Sequence, residues 1–219
     1  MFNNDDAVII AWINFAILIV SSILFTHYYI KSVSPASLEK TLGATKAWDG
    51  RCAWYRIFAS ILMCVGCANY VVYAWYPLPP IIDNGQHFPW TYDISLLLSL
   101  AITIPCILLM TIGVWHAGEE TMTPKKEHAM YHGIYDYIRH PQALGEWPLW
   151  FAIALAVDSV FLVAWSLIYI PIWIWFCMAE EKDLLLRYGS AYEDYRQRVG
   201  FWFPKTNSVV ATHRTEKSD

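Results

Sequence analysis

The residues best suited to chemistry stand in two charged clusters on either side of one apolar stretch. Arg139, His140 and Pro141 directly precede the stretch, and Glu180 and Glu181 directly follow it. A hairpin of two membrane-spanning helices would return the chain to its side of entry, so we expect both clusters to meet at one membrane face. A pocket with a basic and an acidic group there suits a small zwitterionic cofactor beside a lipid-soluble substrate.

The composition predicts a membrane protein. Of the 219 residues, 57% are hydrophobic and only 16% are charged, with 12 Trp and 14 Tyr. A soluble domain of this length has too small an interior for so many apolar side chains. Because a helix needs about 20 apolar residues to cross a bilayer, we predict an all-α integral membrane helical bundle with five transmembrane helices, at residues 8–30, 54–76, 94–115, 143–157 and 160–179.

The fourth and fifth predicted helices leave a second possibility open. The fourth is short, and only Asp158 and Ser159 separate it from the fifth. The pair could therefore also be a tilted or incompletely spanning hairpin.

The basic residues predict the orientation. All 15 Lys and Arg residues fall within three segments, 31–56, 125–139 and 182–217. Cytoplasmic loops retain basic residues, and an odd number of spans puts all three segments on one side, with the N-terminus outside and the C-terminus cytoplasmic. The first apolar segment follows Asp5 and Asp6, so we interpret it as a retained anchor and not a signal peptide. We expect a multi-pass protein of a bacterial inner membrane or an endoplasmic reticulum type of membrane, with the active site facing the cytoplasm.

We predict a single membrane domain over residues 1–219. Within it, 1–127 would form helices one to three as a substrate-side scaffold, 128–204 would carry the chemistry, and 205–219 would be a frayed polar tail. The five Cys mostly lie in apolar spans, where thiols behave as small hydrophobic groups, so no disulfide framework is implied. No basic and aromatic surface for nucleic acid is visible.

The first chemical segment, HAMYHGIYDYIRHPQALGEW at 128–147, runs from a loop into the fourth helix. Gly133 permits a tight backbone approach, and Pro141 suits a first helical turn. Glu146 stands one turn into the helix, where an ionisable group is a functional candidate by default. We expect Arg139 or the substrate as its partner.

The second chemical segment, AEEKDLLLRYGSAYEDYRQRVGFWFP, covers residues 179–204. It places the Glu pair where the fifth helix leaves the bilayer, and an amphipathic tail with apolar residues at helical spacing follows. A helix C-terminus is the electrostatically poor end for paired carboxylates. The pair therefore favours a bound positive group over a merely solvated helix end.

The ordered combination of these pieces resembles a known family. GIYDYIRHP, an apolar hairpin, a Glu pair and YGSAYEDYRQRV closing on Pro204 are similar to the C-terminal half of the isoprenylcysteine carboxyl methyltransferase family. This wider group of integral-membrane methyltransferases includes phospholipid N-methyltransferases and thiol S-methyltransferases. The resemblance covers about 128–204, whereas helices one to three match only in number and topology.

The resemblance implies S-adenosylmethionine as the cofactor, in a cytoplasm-facing pocket between the Arg139 cluster and the end of the fifth helix. It implies that Arg139 pairs with the methionyl carboxylate, that carboxylates accept from the ribose hydroxyls or the amino group, and that Tyr135 packs on the adenine. The implied catalytic residues are Arg139, Glu146 and Glu181, with no metal. The implied cofactor-binding residues are His128, Met130, Gly133, Tyr135, Arg139, His140, Pro141, Glu180 and Glu181.

The sequence departs from the family pattern in two places. Where the motif continues with any residue and then Tyr, this chain has Gln142 and Ala143, so an aromatic wall is missing or supplied elsewhere. Where the prenylcysteine branch carries a basic residue for the substrate carboxylate, this chain has Phe176. The predicted function is methyl transfer to a lipophilic or small thiol, amine or carboxylate acceptor beside membrane lipid, and the prenylcysteine carboxylate is disfavoured.

Three other functions are compatible with parts of the sequence. A sterol or steroid reductase using NADPH would explain Gly145, Glu146 and Trp147, but the Glu pair and the following YG resemble the methyltransferases. A non-catalytic membrane scaffold or lipid-binding protein is suggested by Ala143 and Phe176. A metal-dependent oxidase would need more His at helical spacing than the available candidates His116, Glu119, Glu120, His128, His132 and His140 offer.

Overall fold

The computed structural model describes residues 4–79, 87–121, 123–126 and 132–205. Over these residues the secondary structure is helical without β-strands, as the sequence predicts. The α-helices are α1 (Asn4–Ser32), α2 (Pro35–Leu42), α3 (Ala44–Lys46), α4 (Cys52–Trp75), α5 (Tyr92–Ala117), α6 (Pro141–Glu146), α7 (Pro148–Ala156), α8 (Val160–Ser166), α9 (Tyr169–Tyr188) and α10 (Ser190–Arg198). A π-helix (Ala47–Arg51) leads into α4, and short 3₁₀ helices form at Gly118–Thr121 and Gly133–Asp136.

Four helical stretches of the described residues are long and apolar enough to cross a membrane. They are 24 to 30 residues long, or about 36–45 Å at 1.5 Å per residue, against a hydrocarbon core of about 30 Å. Their bounds are Asn4–Ser32, Cys52–Trp75, Tyr92–Thr121 and Val160–Tyr188. They coincide with the first, second, third and fifth predicted spans.

The fourth predicted span, 143–157, is broken into α6 and α7. Trp147 separates the two helices, and Pro148, which has no backbone N–H to donate, begins α7. α7 has only 9 residues, about 14 Å, and Asp158 with φ 52° then reverses the chain into α8. The hairpin thus has the interrupted form that the sequence left open, and the five-span count and the orientation stay predictions.

Glycines let α6 lie directly against α5. A Cβ on Gly145 would come within 2.6 Å of the Cys106 carbonyl oxygen and 2.9 Å of the Met110 backbone nitrogen. A Cβ on Gly113 would come within 2.9 Å of Gln142 Cγ. Because only glycine allows this approach, the contact fixes the start of the hairpin, and with it the Arg139 cluster, on α5.

The described basic segments converge at one end of the bundle. The Lys126 ammonium donates to Glu39 at 2.7 Å, and Arg187 forms a buried ion pair with Glu120. These contacts join the segment after α1, the segment after α5 and the end of α9. Asp158 lies in the turn at the opposite end of the α8–α9 stretch.

A substitution at Gly145 tests the close packing of α5 and α6. We expect Gly145→Ala to lower the free energy of unfolding by about 1–3 kcal/mol, since an added methyl group must push the two backbones apart. Gly50→Ala is the matched control, because no atom lies within 4 Å of a Cβ built there. Denaturant unfolding of both variants in detergent measures the effect, and equal stabilities would contradict it.

Candidate functional site

A cavity of about 240 Å³ lies inside the end of the bundle where the basic segments meet. Two of the four helices long enough to span a membrane, α1 and α4, form one wall. α5, the Gly118–Thr121 turn, α6, α9 and α10 form the rest. The predicted site residues on its surface are Tyr135, Arg139, His140, Pro141, Glu146 and Glu180.

Backbone hydrogen bonds hold the Arg139 segment in place. Arg139 N–H donates to the Gly200 carbonyl at 2.8 Å, and His140 N–H donates to the Phe201 carbonyl at 3.3 Å. A Cβ on Gly200 would lie 1.6 Å from the Phe203 carbonyl oxygen, so the chain can turn there only with glycine. The segment after α10 is therefore part of the frame of the site.

The Arg139 guanidinium is largely committed to the protein itself. Its Nε donates to Glu181 Oε1 at 2.7 Å, and its Nη1 donates to the carbonyls of Arg196, at 2.9 Å, and Val199. The Arg139 and Glu181 side chains are only 9% and 10% exposed. A buried ion pair of this kind is satisfied only while both partners are present. Among the described residues, Arg139 Nη2 makes no hydrogen bond and remains for a ligand.

His140 lies between the two glutamates. Its Nε2 is 3.1 Å from Glu181 Oε1 and its Nδ1 is 3.3 Å from Glu180 Oε2. The Nε2 contact has hydrogen-bond geometry, and the Nδ1 contact is an ion pair when the ring is protonated. Burial lowers the pKa of His140, but hydrogen bonds with Cys177, Glu180 and Glu181 outweigh burial and raise it well above its usual range. The cluster of two cations and two anions is thus balanced in charge.

The two glutamates have different surroundings. Glu180 lines the cavity with a side chain that is 34% exposed, whereas Glu181 is buried behind it and holds Arg139 and His140. Neighbouring residues on a helix point about 100° apart, which explains the difference. The expected helix end is not found at the pair, because α9 continues unbroken to Tyr188.

Tyrosines supply the aromatic wall that the sequence leaves missing at Ala143. Tyr135 O–H donates to the Gly113 carbonyl at 3.2 Å, and Gln142 Nε2 donates to Tyr135 Oη at 2.9 Å. Tyr195 O–H donates to the Tyr135 carbonyl at 2.7 Å. Burial, and then the Glu180 charge, raise the pKa of Tyr135, so its phenol stays neutral. Together with Tyr29 and Tyr192, these rings border the cavity.

Gly133 makes the close backbone approach predicted for it. Its φ is +74°, and an added Cβ would lie 2.9 Å from the His116 ring. The Gly133 N–H donates to Asp136 Oδ2 at 2.9 Å, and Ile134 N–H donates to His116 Nδ1 at 3.2 Å. Gly133 thus shapes the turn that presents Tyr135 and does not itself line the cavity.

Glu146 lies on the cavity surface at its α6 side. Arg139 is not its partner, because Arg139 pairs with Glu181, and within the described part of the chain no cationic group forms an ion pair with Glu146. The buried indole N–H of Trp173 completes no hydrogen bond with a described residue, so it does not satisfy the Glu146 carboxyl either. The expectation of a substrate partner for Glu146 therefore stays open.

The remaining positions singled out in the sequence do not line the cavity or cannot be placed. His128 and Met130 lie outside the described residues. Phe176 is buried and stacks on Tyr29 at a centroid distance of 4.3 Å, so aromatic packing occupies the place of the family's basic residue. The oxidase candidate Glu119 pairs with Lys125 on the surface.

Sequence reasoning placed the first three helices on the substrate side but named none of the residues through which α1 and α4 reach the cavity. Tyr29, Ser32, Arg56 and Ser60 from α1 and α4 line the cavity. For Arg56 and Ser60 the sequence does offer a clue, because their i, i+4 spacing places both side chains on one face of α4.

Separate substitutions of the two glutamates test their different surroundings. We expect Glu181→Ala to lower the free energy of unfolding by about 3–5 kcal/mol, because it leaves the Arg139 and His140 charges buried without their shared acceptor. Glu180→Ala should cost at most about 1 kcal/mol, since its carboxylate is partly solvated. Denaturant unfolding in detergent compares them, and equal losses would show that the assignment of the buried partner is wrong.

Residues 94–191 match the phospholipid methyltransferase family model. No curated protein and no solved structure shows a significant match to the chain. The family match runs from the start of α5 into α10, so it includes the Arg139 cluster, Glu146 and the Glu pair, but not α1 and α4. The match confirms the resemblance predicted from the sequence: residues 94–191 are similar to the phospholipid methyltransferases, one of the groups of integral-membrane methyltransferases named in that prediction.

Proposed function

We propose that this chain transfers a methyl group from S-adenosylmethionine to a lipid-soluble acceptor in the cavity. The observation that carries the proposal is the charge-balanced cluster of Arg139, His140, Glu180 and Glu181 at the cavity, inside the residues that match the methyltransferase family. When bound, S-adenosylmethionine supplies a methyl group activated on a positively charged sulfur. Orientation, exclusion of water and proton handling are left to the chain.

The donor set of the cavity fits this cofactor. Glu180 offers a partly exposed carboxylate for the ribose hydroxyls or the amino group. Arg139 Nη2, which has no partner among the described residues, can donate to the methionyl carboxylate. Tyr135, Tyr192 and Tyr195 provide flat apolar faces for the adenine. Glu181 and His140 act indirectly, since they fix Arg139 and Glu180 in position.

Glu146 is suited to the acceptor side of the reaction. An ammonium group must lose a proton before its nitrogen has a lone pair to attack the methyl group, and a thiol attacks best as its thiolate. A neighbouring carboxylate can take that proton. Glu146 lines the cavity and pairs with no cation of the described residues, so it can also attract an ammonium group. This favours an amine acceptor such as a phospholipid head group, in keeping with the family match.

We also propose that the cavity faces the cytoplasm. Support comes from the three basic segments, whose described residues contact one another at this end of the bundle. Basic residues are retained on the cytoplasmic side during insertion. The three long helices α1, α4 and α5, together with the α8–α9 stretch, would anchor the chain.

Binding of the cofactor product is the primary test of the proposed function. We expect S-adenosylhomocysteine, but not NADPH, to bind the detergent-purified protein saturably by calorimetry. Glu180→Gln should weaken that binding about 10-fold or more, because it removes a charge-assisted acceptor. Glu119→Ala is the control, since Glu119 pairs with Lys125 on the surface and does not line the cavity. Saturable binding of NADPH alone would overturn the proposal in favour of a reductase.

Turnover tests the role of Glu146. We expect Glu146→Gln to lower kcat for methylation of phosphatidylethanolamine about 100-fold, within the usual range for loss of a general base. Binding of S-adenosylhomocysteine should be unchanged, because Glu146 lies at the α6 side and outside the Arg139 cluster. Radiolabelled methyl transfer in lipid nanodiscs measures kcat, and wild-type turnover in the variant would exclude Glu146 as the base.

A further inference from the structure

Arg56 is a cavity residue that the family match does not include. It stands on α4, whereas the match begins at residue 94. Its Nη1 donates to the carbonyl oxygen of Glu120 at 2.7 Å and also to the carbonyl of Thr121. These two bonds hold one edge of the guanidinium against the Gly118–Thr121 turn.

The other edge of the Arg56 guanidinium has no protein acceptor among the described residues. Its Nε and Nη2 make no hydrogen bond there, and no described carboxylate forms an ion pair with it. The Nε–Nη2 edge presents two parallel N–H groups, which match two oxygens of a phosphate or carboxylate. Because the first edge is already fixed, little side-chain entropy is lost when an anion binds the second.

Hydroxyl groups border the same part of the cavity. Ser60 lies one helical turn after Arg56 on α4, and Ser32 lines the cavity from the end of α1. The Ser32 hydroxyl donates to the Tyr29 carbonyl at 2.7 Å, which leaves its oxygen free to accept. Ser60 Oγ has no hydrogen-bond partner among the described residues and can donate to an anion.

The cavity has a cation and a carboxyl group on two different helices. Arg56 lines it from α4, and Glu146 lines it from α6, so these two side chains are its two poles. An acceptor that spans these poles needs an anionic group at one end and an amine at the other.

We propose that Arg56, assisted by Ser60, binds the phosphate of a lipid acceptor and so sets acceptor specificity from outside the family-matched residues. The inference rests on the proposed function for the identity of the acceptor, but the anion site itself can be tested by binding alone. Arg56 is a specificity residue in this proposal, because it contacts the acceptor away from the reacting nitrogen.

The test compares two single-chain lipids that differ in the phosphate-bearing head group. Palmitoyl lysophosphatidylethanolamine and monopalmitoylglycerol are titrated calorimetrically into the protein in maltoside detergent, and inorganic phosphate is titrated separately. We expect the wild type to bind the phospholipid about 10-fold or more tightly than the neutral lipid, as for a charge-assisted bidentate contact. Arg56→Gln should abolish this preference, and Arg56→Lys should retain part of it, because Lys keeps the charge without the fork.

Two controls separate an anion site from a structural support. Arg51→Gln removes an exposed arginine that lies five residues before Arg56 and does not line the cavity, so this variant should keep the preference. S-adenosylhomocysteine binding should stay within about 2-fold in every variant, because the Arg139 cluster is intact in each. If Arg56→Gln does not fold, Ser60→Ala replaces it, and a preference undiminished in Ser60→Ala then overturns the proposal.

The outcomes are distinguishable. An unchanged preference in Arg56→Gln, or an equal loss of affinity for both lipids, would mean that Arg56 only supports the Gly118–Thr121 turn. Inorganic phosphate binding as tightly as the lysophospholipid would overturn the lipid source. Arg56-dependent binding of the lysophospholipid without methyl transfer to it would refute the proposed function and leave the anion site standing.

Discussion

The buried carboxylate of Glu181 is the constraint on which the rest of the site depends. It accepts from Arg139 Nε and His140 Nε2, so one acidic side chain on α9 fixes the segment that precedes α6. Arg139 in turn donates to the carbonyls of Arg196 and Val199, which ties the end of α10 to the same point. In an apolar bundle each of these buried charges is strongly destabilising without its partner. The requirement that they pair therefore brings the three separated segments together.

That constraint explains why the two neighbouring glutamates have different surroundings. A buried acceptor cannot also face a ligand, and α9 rotates the neighbouring Glu180 toward the cavity while Glu181 stays behind it. The sequence identifies the pair but not the division, because side-chain direction depends on the rotation of the helix within the bundle. The same rotation decides that Phe176 packs against Tyr29 and not into the cavity.

The parts of the molecule that the sequence predicts well are the helices whose position depends only on the contrast between the apolar bilayer and water. Hydropathy locates α1, α4, α5 and the α8–α9 stretch, because any helix that crosses a bilayer must be apolar over its whole length. It does not locate the break at Trp147 and Pro148, because a hydropathy average does not register the backbone N–H that Pro148 lacks. Hydropathy also does not predict the contacts that define the site. Arg139 pairs with Glu181, and not with Glu146, because the segment before α6 meets α9 at Glu181.

The cavity combines two parts with different relations to the family. Its Arg139 side and Glu146 lie within residues that match the phospholipid methyltransferases, whereas α1 and α4 supply Tyr29, Ser32, Arg56 and Ser60 from outside the match. A buried, hydrogen-bonded charge cluster requires a fixed geometry, which restricts the residues that can form it. Recognition of an acceptor requires only shape and charge on the facing wall, which many sequences can provide. The helices with the weakest resemblance are therefore the ones in which the identity of the acceptor should be encoded.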